Sequence, residues 1–146
     1  MNTHEPHIND ILDSFFNAYR ARKKGVALRR INQVEAHLYV CLELDGPAIL
    51  MTADQELLLA EREFAPDNAM ARTMHAGDLI FVIGLFLEPP WLAAELAERR
   101  VQVAVCSELL RFVFSSGLVN RHDFACHMYS IEASIRQARS TLQPRG

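Results

Sequence analysis

The sequence lacks the features expected of a secreted or membrane-spanning protein. Its 146 residues include only three cysteines, and no two of them form a CxxC pair. An odd number of dispersed cysteines does not predict a disulfide framework, so we expect a reducing compartment, namely the cytoplasm. The opening segment MNTHEPHINDILDSFF has no basic region before its apolar residues, and we expect no signal peptide. The longest apolar run, residues 79–87, is nine residues long, whereas a bilayer span needs about twenty, so we expect no membrane contact.

The sequence also lacks the motifs of common catalytic and nucleotide-binding sites. It contains no GxSxG, HExxH, P-loop, GxGxxG or ExxH pattern, each of which places ligands or nucleophiles at a fixed spacing. We therefore expect no cofactor and do not predict an enzyme, although an enzyme with an unfamiliar site stays open.

What the sequence does contain is the composition of a globular domain. Half of its residues are hydrophobic and 23% are charged, which is typical of a folded chain rather than a disordered one. No linker or internal repeat divides the chain, and its length is sufficient to bury a substantial core. We predict a single helical domain over residues 1–146.

Charge is distributed unevenly along the chain. Residues 1–34 carry six basic and three acidic groups (+3), and residues 35–98 carry two basic and twelve acidic groups (−10). Residues 99–146 carry seven basic and three acidic groups (+4), which brings the net charge to −3. The acidic residues can simply solvate helix faces, or the polarity can attract an anionic partner or further copies of the chain.

The hydrophobic spacing is helical almost throughout, which predicts an all-α bundle of six or seven helices joined by short turns. Gly25 separates the first two helices, and the second ends near Asp45 and Gly46. A capping box of Thr52 and Gln55 is expected to start the third helix. The apolar stripes of these three helices are Ile8, Ile11, Leu12, Phe15, Phe16 and Tyr19; Leu28, Ile31, Val34, Leu38 and Leu42; and Ala53, Leu57, Ala60 and Phe64.

A short fourth helix is predicted to open at Pro66 and to close at Gly77. Asp78 is then expected to cap the apolar run at residues 79–87. Because this run is hydrophobic on every side, it must be buried, but its pattern fits either a helix or a buried strand. Pro89 ends it.

The longest helix is predicted to run from Leu92 to near Gly117, and Trp91 before it is expected to be a packing anchor. Two apolar lines lie on roughly opposite sides of this helix. A helix that is apolar on two faces is either central in its own bundle or half-buried in a partner, so we expect one or two centrally buried helices. The lines are Leu92, Leu96, Arg99, Val103, Cys106, Leu110 and Val113, and Val101, Val105, Leu109 and Phe112.

Asn120 and Asp123 are expected to cap the last helix, whose core stripe begins at Phe124. The side of this helix away from that stripe is less polar than a solvated face usually is. Together with the second apolar line of the preceding helix, that side predicts an interface, and a homodimer is its expected form. The interface residues are Val101, Val105, Leu109, Phe112, Cys126 and Tyr129.

The stretch NRHDFACHMYS, residues 120–130, concentrates residue types that bind metals. On a helix, His122 and Cys126 are four residues apart, a spacing that lets two ligands bind one zinc ion. His37 and Cys41 have the same spacing, and the four together would suit zinc. The simpler interpretation is that His122 solvates the helix start and that Cys126 is a small apolar residue.

Six of the fifteen basic residues fall within eleven positions around Gly25. Such a cluster can form one patch across a helix–helix junction and bind phosphates, and the nearby Asn32 and Gln33 are residue types that read bases. Basic residues are also favoured at a helix C-terminus without any ligand. The cluster consists of Arg20, Arg22, Lys23, Lys24, Arg29 and Arg30.

The sequence therefore predicts a cytoplasmic helical module for protein–protein interaction or regulation, with an unidentified protein partner. We expect it to be homo-oligomeric through its C-terminal helices. The first alternative is a nucleic-acid-associated protein that uses the basic cluster at residues 20–30. The second is a metal-binding helical protein that uses His122 and Cys126.

Overall fold

The computed structural model describes residues 5–142, so residues 1–4 and 143–146 of the predicted domain lie outside the described range. Seven α-helices and no β-strand form within that range, which confirms the predicted all-α bundle. A short 3-10 helix, Gly46–Ile49, joins the second helix to the third. The helices are α1 (Ile8–Tyr19), α2 (Gly25–Leu44), α3 (Thr52–Phe64), α4 (Ala69–Thr73), α5 (Ala76–Phe86), α6 (Leu96–Ser115) and α7 (Ala125–Ser140).

Helix α5 lies at the centre of the bundle. It packs against α1, α2, α6, α7 and the 3-10 helix, and its buried side chains include Ile80, Ile83 and Phe86. The apolar run at residues 79–87 therefore folds mainly as a helix and not as a strand. Burial of one large apolar side chain contributes about 1.5–3 kcal/mol, so α5 is a major source of stability. None of the helices within residues 5–142 combines the length and apolarity needed to cross a membrane.

Helix α6 is the second centrally buried helix. Cys106 and Val113 from its first apolar line are buried, and Val105 and Leu109 from its second line are buried as well. The helix packs against α1, α2, α5 and α7, so neighbours within the same chain cover the middle of both lines, whereas Leu96 at the start of the helix is 50% exposed. Helix α6 is therefore central in its own bundle, which is the first of the two alternatives for a helix that is apolar on two faces.

The capping box predicted for Thr52 and Gln55 is wrong. Met51 is the N-cap residue, and Thr52 is the first residue of α3. Gln55 Nε2 donates instead to the carbonyl oxygens of Pro47 and Leu50, at 3.2 and 3.1 Å. These hydrogen bonds hold the start of α3 against the 3-10 helix.

The prediction that Ala53, Leu57, Ala60 and Phe64 form the core face of α3 is also wrong. Leu58 is the buried residue of this helix, whereas Leu57 and Phe64 are 51% and 88% exposed. At 100° per residue, Leu58 points well away from the stripe that Leu57 and Phe64 belong to. Because α3 packs against α4 with Leu58 inward, the predicted stripe is left in solvent.

The boundary between α4 and α5 differs from the prediction. His75 is the N-cap residue of α5, so Gly77 and Asp78 lie in its first turn. The backbone N–H of His75 donates to Asp78 Oδ2 at 3.2 Å. Gly77 leaves room for Phe124, because a Cβ at this position would lie 2.9 Å from Cζ of that ring and would displace it. The glycine thus lets the segment before α7 pack against the start of α5.

Two further helix starts lie later than predicted. Helix α6 begins at Leu96 instead of Leu92, because side chains of α6 itself hold the preceding segment in an irregular conformation. Helix α7 begins at Ala125, with Phe124 as its N-cap residue, so neither Asn120 nor Asp123 is its cap. Asn120 Oδ1 accepts a hydrogen bond from the backbone N–H of His122 at 2.8 Å and forms a turn ahead of the helix.

Asp78 makes the stability of this fold depend on pH. Burial raises the pKa of its carboxyl above the ordinary value of 3.8, and the hydrogen bond from the His75 backbone offsets only part of this effect. A pKa that is higher in the folded state means that the protonated carboxyl favours folding. This stabilisation is complete below pH 3.8 and is lost as the pH rises through the raised value.

We therefore predict that the stability of the Asp78→Asn variant, relative to that of the wild type, increases as the pH rises from below the ordinary aspartate pKa to neutrality. The amide carries no charge that burial would penalise at high pH. Denaturant unfolding of both proteins across this range measures the difference in unfolding free energy. Asp67→Asn, which changes an exposed carboxyl, is the control and should show no such trend. A difference for Asp78→Asn that does not vary with pH would contradict the prediction.

Candidate functional surfaces

The fold divides the basic cluster between structural contacts and an exposed patch. Arg20 Nη1 donates to Glu35 Oε1 at 2.6 Å and to Asn32 Oδ1 at 3.0 Å. Its Nη2 donates to Asn17 Oδ1 at 3.0 Å. Arg20 therefore joins the end of α1 to α2 and is already engaged. Arg30 points elsewhere and lines a cavity between α2 and α6.

Four members of the basic cluster remain exposed at the α1–α2 turn, namely Arg22, Lys23, Lys24 and Arg29. None of them forms an ion pair with another residue in the 5–142 range. The two base-reading candidates do not extend this patch, because Asn32 binds Arg20 and Gln33 lines the cavity between α2 and α6. The exposed patch is thus smaller than the sequence indicates, and its contact with nucleic acid stays a prediction.

The four-residue metal site considered from the sequence does not form. Cys41 is buried in α2, whereas Cys126 is exposed at the start of α7. In the part of the chain that the structure describes, no group of three or more His, Cys, Asp or Glu side chains is placed to hold an ion. His122 lies in the turn before α7, so His122 and Cys126 offer two ligands at most.

Burial separates the three cysteines by reactivity. It raises the pKa of the Cys41 thiol to about 12 and also raises the pKa of Cys106. Cys126, in contrast, is exposed. The thiolate is the reactive form of cysteine, so the two buried thiols are protected both by their protonation and by the absence of access.

We predict one fast-reacting thiol per native chain. An aromatic disulfide reagent should modify Cys126 at once and should reach Cys41 and Cys106 only after unfolding. Absorbance of the released thiolate measures the number of groups that react, and Cys126→Ser should abolish the fast phase. Reaction of two or three thiols at one rate in the native protein would contradict the prediction.

The residues of the predicted interface separate into two groups. Val105 and Leu109 are 1% and 0% exposed, so they face the chain's own core and cannot contact a partner in this fold. The other four are partly or fully exposed, namely Val101, Phe112, Cys126 and Tyr129. An interface at this part of the bundle stays a prediction, and it no longer includes the centre of α6.

The most exposed large apolar side chain among the described residues is Phe64 on α3. It belongs to a stripe with Ala53, Leu57 and Ala60, all of them exposed. Their spacing of four, three and four residues keeps them on one side of the helix. We call this the α3 stripe. It is visible in the sequence as an amphipathic pattern, but the pattern does not show whether the same chain covers it.

Two carboxylates border the α3 stripe without a partner. Glu56 and Glu63 are seven residues apart, so they lie on the same side of the stripe. Both are exposed, and neither forms an ion pair within residues 5–142. Glu61 on the same helix is already paired with Arg72. The exposed side of α3 is therefore an apolar stripe with an acidic border.

A groove of opposite charge lies between α6 and α7. Its volume is about 490 Å³, and one carboxylate, that of Glu132, lines it. The apolar part of the groove is formed by Leu110, Phe114, Met128 and Ile135. Its basic residues are Arg111, Arg121, Arg136 and Arg139. We call this the α6–α7 groove.

The arginines of the α6–α7 groove are only weakly engaged by the rest of the chain. Arg111 Nη1 lies 3.5 Å from Glu108 Oε1, and both side chains are exposed, so this pair contributes little. Arg139 Nη2 donates to Ser107 Oγ at 3.2 Å. Arg121 and Arg136 form no ion pair in the described range. The positive excess of residues 99–146 is visible in the sequence, but only the packing of α6 against α7 gathers these arginines.

A second cavity, of about 420 Å³, lies between α2, α6 and the segment that joins α5 to α6. We call it the α2–α6 cavity. Trp91 forms part of its wall and donates from Nε1 to Asp45 Oδ2 at 2.5 Å. Gln102 on α6 is buried next to this wall. Sequence reasoning missed Gln102, because a single polar residue between Val101 and Val103 forms no pattern.

Comparisons with known proteins do not assign this chain to a family. No protein-family model, curated protein or solved structure matches it. The choice among these surfaces therefore depends on their geometry and charge.

Proposed function

We propose that this protein is a helical protein–protein interaction module that assembles with a second copy of itself. The observation that carries the proposal is the exposure of the α3 stripe, in which Phe64 is 88% exposed. A helix that keeps such a stripe in water forgoes the stabilisation that burial of apolar surface provides. Exposed apolar patches with a polar border are typical of interaction sites.

Charge indicates which surface of the second copy receives the α3 stripe. Pairing of α3 with α3 is disfavoured, because Glu56 and Glu63 of one copy would lie near the same carboxylates of the other. The α6–α7 groove offers the opposite charge. Its arginines can bind carboxylates through two parallel hydrogen bonds. Of its apolar residues, Met128 is partly exposed and can pack against Leu57 or Phe64, whereas Leu110, Phe114 and Ile135 are buried.

A two-fold arrangement forms both contacts at once. The α3 stripe of each copy enters the α6–α7 groove of the other, so the assembly closes as a dimer and does not extend into a filament. Duplication of the contact also helps the interface to reach the roughly 1,200–2,000 Å² that stable complexes bury.

This proposal keeps the homo-oligomer expected from the sequence and moves its interface. The α6–α7 groove retains a role for the C-terminal helices, but none of the six residues predicted for the interface lines it, and the α3 stripe takes their place. We also propose a cytoplasmic location, because Cys41, Cys106 and Cys126 are free thiols and such thiols persist in reducing compartments.

Two charge-reversed variants test the proposed dimer. Glu56→Lys/Glu63→Lys makes the border of the α3 stripe basic, and Arg121→Glu/Arg136→Glu makes the α6–α7 groove acidic. We predict that each variant alone is monomeric at concentrations where the wild type is a dimer, because like charges then meet in both contacts. Analytical ultracentrifugation measures the mass in solution.

Mixing the two variants should restore the dimer, since both contacts then join opposite charges. Arg22→Glu/Lys24→Glu changes the net charge by the same amount as the groove variant, but it does so at the α1–α2 turn. This matched control should remain dimeric. A wild type that is monomeric at every concentration, or a mixture that stays monomeric, overturns the proposal.

Nucleic-acid binding at the α1–α2 turn is the second candidate function. The four exposed basic residues without an ion pair favour it. We predict that affinity for single-stranded or duplex probes falls with added salt. Lys24→Glu/Arg29→Glu should make this dependence less steep, by about one unit of slope for each phosphate that the protein no longer binds. Arg121→Glu/Arg136→Glu should bind as the wild type does. Absence of binding to both probes at low salt removes this candidate.

A further inference from the structure

The α2–α6 cavity has the features of a small-molecule site, separate from the proposed dimer contacts. It shares no lining residue with the α6–α7 groove and includes none from α3. Its volume of about 420 Å³ falls within the ~300–1,000 Å³ that is typical of ligand pockets. The elements that build it are α2, residues 90–94 and α6.

A buried glutamine holds the wall formed by residues 90–94. Gln102 is 1% exposed, and its Oε1 accepts a hydrogen bond from the backbone N–H of Ala93 at 2.8 Å. Its Nε2 donates to the carbonyl oxygens of Phe86 and Trp91, each at 3.0 Å. One side chain thus binds the last carbonyl of α5 and two backbone groups of the irregular segment that follows, and buried backbone groups need such partners.

Two further side chains hold the same wall from opposite helices. His37 on α2 donates from Nε2 to the carbonyl oxygen of Trp91 at 2.8 Å, and its ring packs against the indole with the centroids 5.3 Å apart. Arg99 on α6 donates from Nε to the carbonyl oxygen of Ala93 at 2.7 Å. A wall that is already ordered in this way loses little conformational entropy when a ligand binds.

The α2–α6 cavity contains two opposite charges that do not pair with each other. Arg30 on α2 and Glu98 on α6 both line it. Neither forms an ion pair, with the other or with any further residue in the described part of the chain. Apolar surface comes from Val34, Trp91 and Leu92. A ligand that complements this cavity carries a negative group, a positive group and an apolar body.

We propose that the α2–α6 cavity binds a free amino acid with an aromatic or large aliphatic side chain. The carboxylate of the ligand pairs with the Arg30 guanidinium, and its ammonium group pairs with the Glu98 carboxylate. Its side chain packs against Trp91 and Leu92. A molecule with only one of the two charges leaves either Arg30 or Glu98 without a partner, so it binds more weakly.

The position of Trp91 provides a direct readout, because it is the only tryptophan in the protein. We predict that L-phenylalanine and L-leucine produce a saturable change in Trp91 fluorescence and in its indole N–H signal by NMR. The one-charge probes 3-phenylpropanoate and phenethylamine should bind about tenfold more weakly or worse, as expected when one charged hydrogen bond is missing.

Two variants assign the charges to the two ends of the ligand. Arg30→Ala should weaken L-phenylalanine about tenfold or more and leave phenethylamine unchanged. Glu98→Gln should weaken L-phenylalanine in the same way and leave 3-phenylpropanoate unchanged. Arg29→Ala and Glu108→Gln alter charges on the same helices outside the cavity and serve as matched controls, with circular dichroism to verify the fold.

Three results overturn the proposal. They are no saturable change at Trp91 with either amino acid, equal affinity for the one-charge probes, and unchanged L-phenylalanine binding in both Arg30→Ala and Glu98→Gln. The charge-reversed variants of α3 and of the α6–α7 groove should bind L-phenylalanine as the wild type does. Failure of the proposed dimer and failure of this site are therefore seen separately.

Discussion

The burial of α5 is the constraint on which the rest of the fold depends. This helix is apolar on nearly every side, and α1, α2, α6, α7 and the 3-10 helix all pack against it. Where the chain leaves α5, the carbonyl of Phe86 needs a partner, because the last turn of a helix leaves its carbonyl groups unpaired. Gln102 of α6 donates to it and also holds the following segment. The same side chain, Gln102, therefore completes the end of the central helix and holds a wall of the α2–α6 cavity.

The same constraint explains why α3 lies at the periphery. The positions around α5 are taken by other helices, and α3 packs mainly against the short helix α4 with only Leu58 buried. Its apolar stripe and its acidic border therefore stay on the surface. The α6–α7 groove collects arginines from the basic last third of the chain. The fold thereby turns an uneven charge distribution along the sequence into two surfaces of opposite sign.

The contrast between α3 and α6 shows how far hydrophobic spacing can be interpreted. Both helices carry a clear apolar pattern, and both patterns form on helices as predicted. The middle of both apolar lines of α6 is covered by the same chain, whereas the α3 stripe is not. Spacing reports which side chains share a face, because that follows from 3.6 residues per turn. It does not report what covers that face. Charge patterns have the same limit, because they do not show which charged side chains are already paired. Arg20 belongs to the basic cluster, but it is bound to Glu35 and is not available to a ligand.

The sequence by itself determined the all-α class, the sides of most helices, the burial of residues 79–87 and the separation of charge along the chain. These properties depend on local periodicity and composition, which act within a few residues. The tertiary structure alone decided that residues 79–87 form mainly a helix, that α3 faces solvent and that the cavity exists. The hydrogen bond between His37 and Trp91 joins residues 54 positions apart. Such contacts depend on how whole helices pack around α5, and no local pattern encodes that packing.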